Sequence, residues 1–198
     1  EPVNVTAAKE LMLKNKIEKL PLIDKGKLVG LMTLRDISQV DKYPLVNVDD
    51  SGHLKVAAAV GTDESTEKRI AFLVQAGVDA IIIDTAHGHS QKVIDTFKMV
   101  RAQYSDLEIV VGNIATQQAA KELIELGVDA LKVGIGPGSI CTTRIIAGVG
   151  APQLSAIQDV YSVAKNSDIP IIADGGIIGI SLFFATLYTS CIAKNSDI

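Results

Sequence analysis

An α/β fold built on a parallel sheet is predicted for most of this 198-residue chain, and three features predict it. Short apolar runs alternate with stretches of helical periodicity from Leu54 onward. The phrase Gly-Val-Asp-Ala occurs at Gly77–Ala80 and again at Gly127–Ala130, each time after a helical pattern and before an apolar run. The later apolar runs end in small or polar residues: Asp84-Thr-Ala-His-Gly, Gly112-Asn113, Gly134-Ile-Gly-Pro-Gly and Asp174-Gly-Gly. Polar groups gathered at the carboxyl ends of parallel strands are where such folds place their chemistry.

The elements follow in order. Ala7–Asn15 reads as an amphipathic helix, with Ala8, Leu11, Met12 and Asn15 at helical spacing. A strand begins at Lys19-Leu-Pro-Leu-Ile-Asp, Lys25-Gly26 is a turn, and Leu28–Thr33 is a second strand. Another helix starts at Thr33-Leu-Arg-Asp36. Residues 41–53, dense in Asp, Asn, Pro, Ser and Gly, read as a linker. Strands are expected at Val56–Val60, Ala80–Asp84, Ile109–Gly112, Leu131–Gly134 and Ile171–Asp174, because continuous apolar runs suit strands covered on both faces. Helices are expected near Glu64–Gln75, Gln91–Tyr104, Gln117–Leu126 and Gln153–Lys165. The Gly of each repeated phrase suits a helix C-terminus. The repetition fits a barrel or a doubly wound sheet.

Composition narrows the function. Hydrophobic residues make up 47% and charged residues 21%, an ordinary globular balance, with no Trp and few other aromatics. A net charge of −4 without clustered Lys and Arg speaks against nucleic-acid binding. The two cysteines, Cys141 and Cys191, are too few for a disulfide framework, and the start Glu-Pro-Val-Asn-Val is no signal peptide, so a reducing, cytoplasmic setting is expected. The run Ile177–Ala193 carries no charge but is slightly short for a membrane span.

The segment Gly134-Ile-Gly-Pro-Gly-Ser-Ile-Cys141-Thr-Thr-Arg144 carries the sharpest chemistry. Closely spaced glycines let backbone groups approach a ligand; convergent amides hold a phosphate, and convergent carbonyls hold a cation. A cysteine in such a loop is placed to be a nucleophile. The alternative is a turn with a cysteine buried as a small hydrophobe. Asp84, at a strand end, is able to take the two hydroxyls of a ribose or to cap a helix. Asn113 fits a ligand, a cap or a turn, and Asp174-Gly-Gly fits a ribose site or a tight turn. His87 and His89, with no Cys or further His nearby, are too few for a zinc site.

The segment Gly134–Arg144, followed by Ala147-Gly-Val-Gly-Ala-Pro-Gln153, resembles the signature of the inosine monophosphate dehydrogenase and guanosine monophosphate reductase superfamily. The resemblance runs from about residue 1 to Ile177. It implies a partial (β/α)8 TIM barrel over 54–177, with about five of eight strands, and NAD-dependent oxidation of inosine 5′-monophosphate to xanthosine 5′-monophosphate. Cys141 would attack C2 of the purine and form a thioimidate, with Thr143 beside the nicotinamide. Asp84, Thr85, Ala86, Asn113, Gly134, Ile135 and Gly136 would hold NAD. Ser139, Asp174, Gly175 and Gly176 would hold the substrate. Carbonyls of Gly136, Gly138 and Cys141 would ligate potassium (K+). The full-length family is homotetrameric.

Lys16–Asp24 and Leu28–Ile37 resemble the cystathionine-β-synthase (CBS) module, so residues 1–40 would be the C-terminal part of one. Thr33 and Asp36 fit that module's pattern for adenine or guanine nucleotides, or simply a helix N-cap. A CBS remnant directly upstream favours the dehydrogenase branch over the reductase, since reductases usually lack that insertion; a non-catalytic nucleotide-binding CBS fragment is a further alternative. After Ile177 the family pattern would continue with the eighth strand, a second phosphate-binding Gly-Ser and a flap whose Arg and Tyr activate water. The atypical apolar tail 178–198 stands there instead, and its end, Ala193–Ile198, repeats Ala164–Ile169 letter for letter. The chain is therefore expected to be incomplete and inactive alone. Cys141, in an open loop, is expected to be the more reactive thiol.

Overall fold

The computed structural model describes residues 4–43, 45–49 and 52–177; for Val40 and Asp41 it describes the backbone only. The chain divides into two compact units, residues 1–55 and 56–198.

In the first unit, helix α1 (Val5–Asn15) starts at an N-cap, Asn4, whose side chain accepts the Ala7 N–H at 3.0 Å. Ala8 and Met12 are buried. Leu11, expected on the same face, is instead exposed. Strands β1 (Lys19–Asp24) and β2 (Lys27–Thr33) form an antiparallel hairpin around Lys25-Gly26. Both turn residues have positive φ, which the tight two-residue connection requires. Helix α2 (Leu34–Lys42) opens with a full capping box: Thr33 Oγ1 accepts the Asp36 N–H at 3.1 Å, and Asp36 Oδ2 accepts the Thr33 N–H at 3.1 Å. Within the stretch read as a linker, Asp49 N–H donates to the His53 carbonyl at 2.8 Å, and Val48 bridges Leu54.

The second unit holds one parallel sheet of five strands, β3 (Ala57–Val60), β4 (Ala80–Asp84), β5 (Glu108–Ile114), β6 (Ala130–Val133) and β7 (Ile171–Ala173). Its strand order is the chain order. A doubly wound sheet reverses order at a switch point, so this sheet is the arc of a (β/α)8 barrel. The helices α3 (Thr66–Gln75), α4 (Gln91–Gln103), α5 (Gln117–Leu126) and α7 (Gln153–Ala164) alternate with the strands. Every strand and helix expected from the sequence lies within two residues of its expected bounds. The short helix α6 (Thr143–Ala147), directly after the cysteine loop, was not expected from the sequence.

The core explains the apolar runs. Ile81, Ile83, Ile109, Val111, Leu131 and Val133 from the strands pack with Val93, Phe97, Leu123 and Val160 from the helices. Burying one such side chain contributes roughly 1.5–3 kcal/mol. Gly127 ends α5 in the left-handed region, where its N–H reaches carbonyls of the last turn. Among the described residues no helix is long and apolar enough to cross a membrane, and the apolar tail lies outside them from residue 178 on.

Candidate active site

Four strand ends face one cavity of about 340 Å³, near the lower end for small-molecule sites. Its lining includes Asp84, Thr85, Ala86, Asn113, Gly134, Ile135, Gly136, Gly138, Cys141, Thr143, Asp174 and Gly175. Nearly every residue singled out from the sequence is thus brought to one place. Ser139 does not line this cavity and is exposed on the same loop. Gly176 lines a neighbouring cavity of about 500 Å³ with Pro137 and Arg144.

Asp84 caps no helix; α4 starts after Ser90. Its carboxylate instead meets the Lys132 ammonium at 3.2 and 3.3 Å. Thr85 extends the β4–β5 ladder: its N–H donates to the Gly112 carbonyl, and its carbonyl accepts the Asn113 N–H. The Asn113 amide is neither cap nor turn. Its Nδ2 donates to the Gly134 carbonyl and to Asp174 Oδ2, each at 2.7 Å. The Lys132 and Asn113 side chains hold the Asp174 carboxyl below its ordinary range.

Cys141 sits in the loop between β6 and α6, partly exposed and unpaired. Thr143, through its hydroxyl and then its N–H, lowers the Cys141 thiol below its ordinary value; the Arg144 charge adds to this, against burial and Asp174. The stem of Arg144 packs against Gly136 and Gly150, where any side chain would collide with its Cγ, and Nη2 donates to the Gly138 carbonyl at 3.2 Å.

The ribose of a dinucleotide such as NAD fits here: Asp84 presents a partly exposed carboxylate, able to accept ribose hydroxyls, beside the glycine loop and the cysteine. Of the three carbonyls expected to ligate potassium, that of Gly138 accepts the Cys141 N–H and the Arg144 guanidinium. Among the described residues no three His, Cys, Asp or Glu gather as a metal site, and His89 Nε2 pairs with Glu122 Oε2 at 2.7 Å. In the first unit, Thr33 and Asp36 are engaged with each other in the helix cap. Cys191 lies outside the described residues.

Sequence reasoning missed Lys132, which touches Asp84, Asn113 and Asp174 at once. One signal pointed to it: a lone charge inside the otherwise apolar strand Ala-Leu-Lys-Val. Gln153 was missed too; it is buried on α7, and its Nε2 donates to the Val133 carbonyl at 2.8 Å.

The profile described as "IMP dehydrogenase / GMP reductase domain" matches residues 30–184, and the CBS domain profile matches residues 3–43. The chain belongs to the IMP dehydrogenase / GMP reductase family. It is 54% identical over 178 residues to an inosine-5′-monophosphate dehydrogenase of Aquifex aeolicus, covering 89% of this chain and 36% of that protein. It is also 54% identical over 179 residues to the Halalkalibacterium halodurans enzyme of the same name, covering 89% and 37%. A crystal structure of Trypanosoma brucei GMP reductase C318A superposes with a TM-score of 0.75 at 39% identity, covering 89% of this chain and 41% of that one. The chain therefore spans little more than a third of the curated relatives it matches.

Proposed function

We propose that this chain carries the central part of the catalytic barrel of an NAD-dependent oxidoreductase that converts inosine 5′-monophosphate to xanthosine 5′-monophosphate. The observation that carries the reading is the meeting of Cys141, Asp84 and Asp174 around one cavity. The Cys141 thiolate adds to C2 of the purine. Asp174 takes the substrate ribose, with Ser139 and the Gly175 and Gly176 amides toward the phosphate. Asp84, with Thr85, Ala86, Asn113 and the Gly134-Ile135-Gly136 backbone, holds the dinucleotide, and Thr143 stands beside its nicotinamide. When bound there, NAD supplies the acceptor for the hydride that leaves C2. Water then attacks C2 of the thioimidate, the C–S bond breaks, and the thiol is regenerated. Holding both nucleotides in register supplies much of the rate. Potassium, held by the carbonyls of Gly136, Gly138 and Cys141, would order the cysteine loop.

The domain reading is part of the same proposal: residues 1–40 are the end of a CBS module that takes an adenine or guanine nucleotide, 41–53 link it to the barrel, and the whole protein works as a cytoplasmic homotetramer. The test is intact-mass analysis of the 198-residue chain after acid quench with inosine 5′-monophosphate and NAD. At most a single partial turnover is expected of this part of the barrel, with any nucleotide adduct mapped to Cys141 and no sustained NADH production; sustained turnover, or an adduct that persists in Cys141→Ala, would contradict the reading.

A second reading, GMP reductase, is favoured by the structural likeness to that enzyme at 39% identity. The 54% identity to dehydrogenases places it second. Guanosine 5′-monophosphate with NADPH replaces the substrate pair in the same assay, and an adduct formed only with that pair would reverse the order.

A further inference from the structure

Lys132 stands in the middle of β6, with Leu131 and Val133 on either side fully buried. Its side chain is only 16% exposed, and an ammonium there costs stability unless it is fully paired. It is fully paired. An ammonium has three protons, and three partners take them: Asp84 at 3.2 Å, Asn113 Oδ1 at 3.1 Å and Asp174 Oδ2 at 2.6 Å. These partners come from the ends of β4, β5 and β7, so one side chain ties four neighbouring strands. The stem is closely fitted as well. A Cβ on Gly112 in the adjacent strand would fall 2.5 Å from Lys132 Cβ, so only glycine leaves room for it.

The arrangement leaves the carboxylates usable. Asp174 Oδ2 takes both Lys132 and Asn113, and no described donor reaches its Oδ1. Asp84 is 40% exposed and Asp174 41%, so both retain a face toward the cavity. Two carboxylates at the floor of one site repel each other, and a cation between them removes that repulsion while fixing both orientations. Burial works against the Lys132 charge, but the Asp174 hydrogen bond and the nearby Asp84 carboxylate outweigh it, and the ammonium stays charged well above neutrality.

Resting on the function proposed above, we infer that Lys132 is a positioning residue shared by the two halves of the site. It holds Asp174 for the ribose of the nucleoside monophosphate and Asp84 for the ribose of the dinucleotide, so that each pocket depends on the same cation. Neither carboxylate alone has this double effect.

Calorimetric titration of the whole 198-residue chain with inosine 5′-monophosphate and, separately, with NAD tests this. Lys132→Met should weaken both ligands, each by roughly tenfold to a hundredfold, the worth of a charge-assisted hydrogen bond. Asp174→Asn should weaken chiefly the monophosphate, and Asp84→Asn chiefly NAD. Lys132→Arg, which keeps the charge and donors, should restore most of both affinities. Carbon-13 NMR titration of the aspartate carboxyls adds a readout that a purely structural role would leave still: in Lys132→Met the Asp174 carboxyl should titrate higher, and in Lys132→Arg near its original position. If Lys132→Met does not fold, the arginine variant and the two aspartate variants carry the test through their ligand selectivity. Loss of only one ligand, or an unmoved Asp174 titration in folded Lys132→Met, would overturn the inference. An unmodified chain that binds neither nucleotide would overturn the proposed function, and this inference with it.

Discussion

Asp79 and Asp129 hold the same place in the two copies of Gly-Val-Asp-Ala, and each carboxylate accepts a backbone N–H near the start of a neighbouring strand. Asp79 Oδ2 accepts from Val56 at 2.7 Å, and Asp129 Oδ2 accepts from Ile109 at 2.6 Å. The backbone N–H of each aspartate returns to the carbonyl of the same residue, at 3.0 and 3.1 Å. The repeated phrase thus encodes a repeated fastening between one βα unit and the strand before it. Asp129 does more, because its carboxylate also pairs with Arg101, whose Nη1 donates to the Ser105 and Leu107 carbonyls at 2.9 Å.

Asp129→Ala should therefore destabilise the barrel unit by about 1–3 kcal/mol, since it strands an N–H and a guanidinium together. Asp79→Ala should cost less. Urea unfolding followed by circular dichroism gives both values, and equal costs would show that the Arg101 pair contributes nothing.

Gly112→Ala should disturb the site without touching it directly. The added methyl would meet the Lys132 Cβ and carbonyl, at 2.5 and 2.6 Å, so β5 and β6 must separate or Lys132 must turn. Overpacking of this kind costs about 1–3 kcal/mol. The same substitution at Gly77, where nothing lies within 4 Å, meets no neighbour and should cost only backbone strain. Comparing the two by urea unfolding, with the Asp174 titration as the local readout, separates crowding from strain.

Asp174 makes stability depend on pH in the acid range. Its folded carboxyl titrates below the unfolded value of about 3.9. Its contribution is thus complete above that value and disappears as pH falls through the lower folded value. Asp174→Asn should flatten this part of the stability curve, which urea midpoints between about pH 2 and pH 6 would display.

The thiol gives a second pH dependence. The Thr143 hydroxyl and N–H hold the Cys141 thiol down. Iodoacetamide should therefore label Cys141 with an inflection below that of an ordinary cysteine, and Thr143→Val, which removes the hydroxyl donor, should move the inflection upward. An unchanged profile would place the effect elsewhere.

The parallel sheet and its helices were legible because continuous apolar runs and helical periodicity depend on burial alone, as Ile81, Ile83 and Phe97 illustrate. The cavity residues were legible because they follow strand ends in the chain. Lys132 was hidden inside a strand, and its role depends on partners contributed by three other segments, which no local pattern shows. The Arg144 guanidinium on the Gly138 carbonyl was equally hidden. Leu11 misled because helical spacing marks a face without showing how wide its cover is.

The proposed single purine-nucleotide site of the Cys141 loop and the strand-end carboxylates is tested most directly by the rate of Cys141 alkylation by iodoacetamide near neutral pH, followed by peptide mapping, with and without inosine 5′-monophosphate. Cys191 in the same chain serves as the internal reference. Cys141 should label faster than Cys191, and saturating nucleotide should slow Cys141 at least about tenfold while leaving Cys191 unchanged. Labelling of Cys141 that is indifferent to the nucleotide would contradict the account.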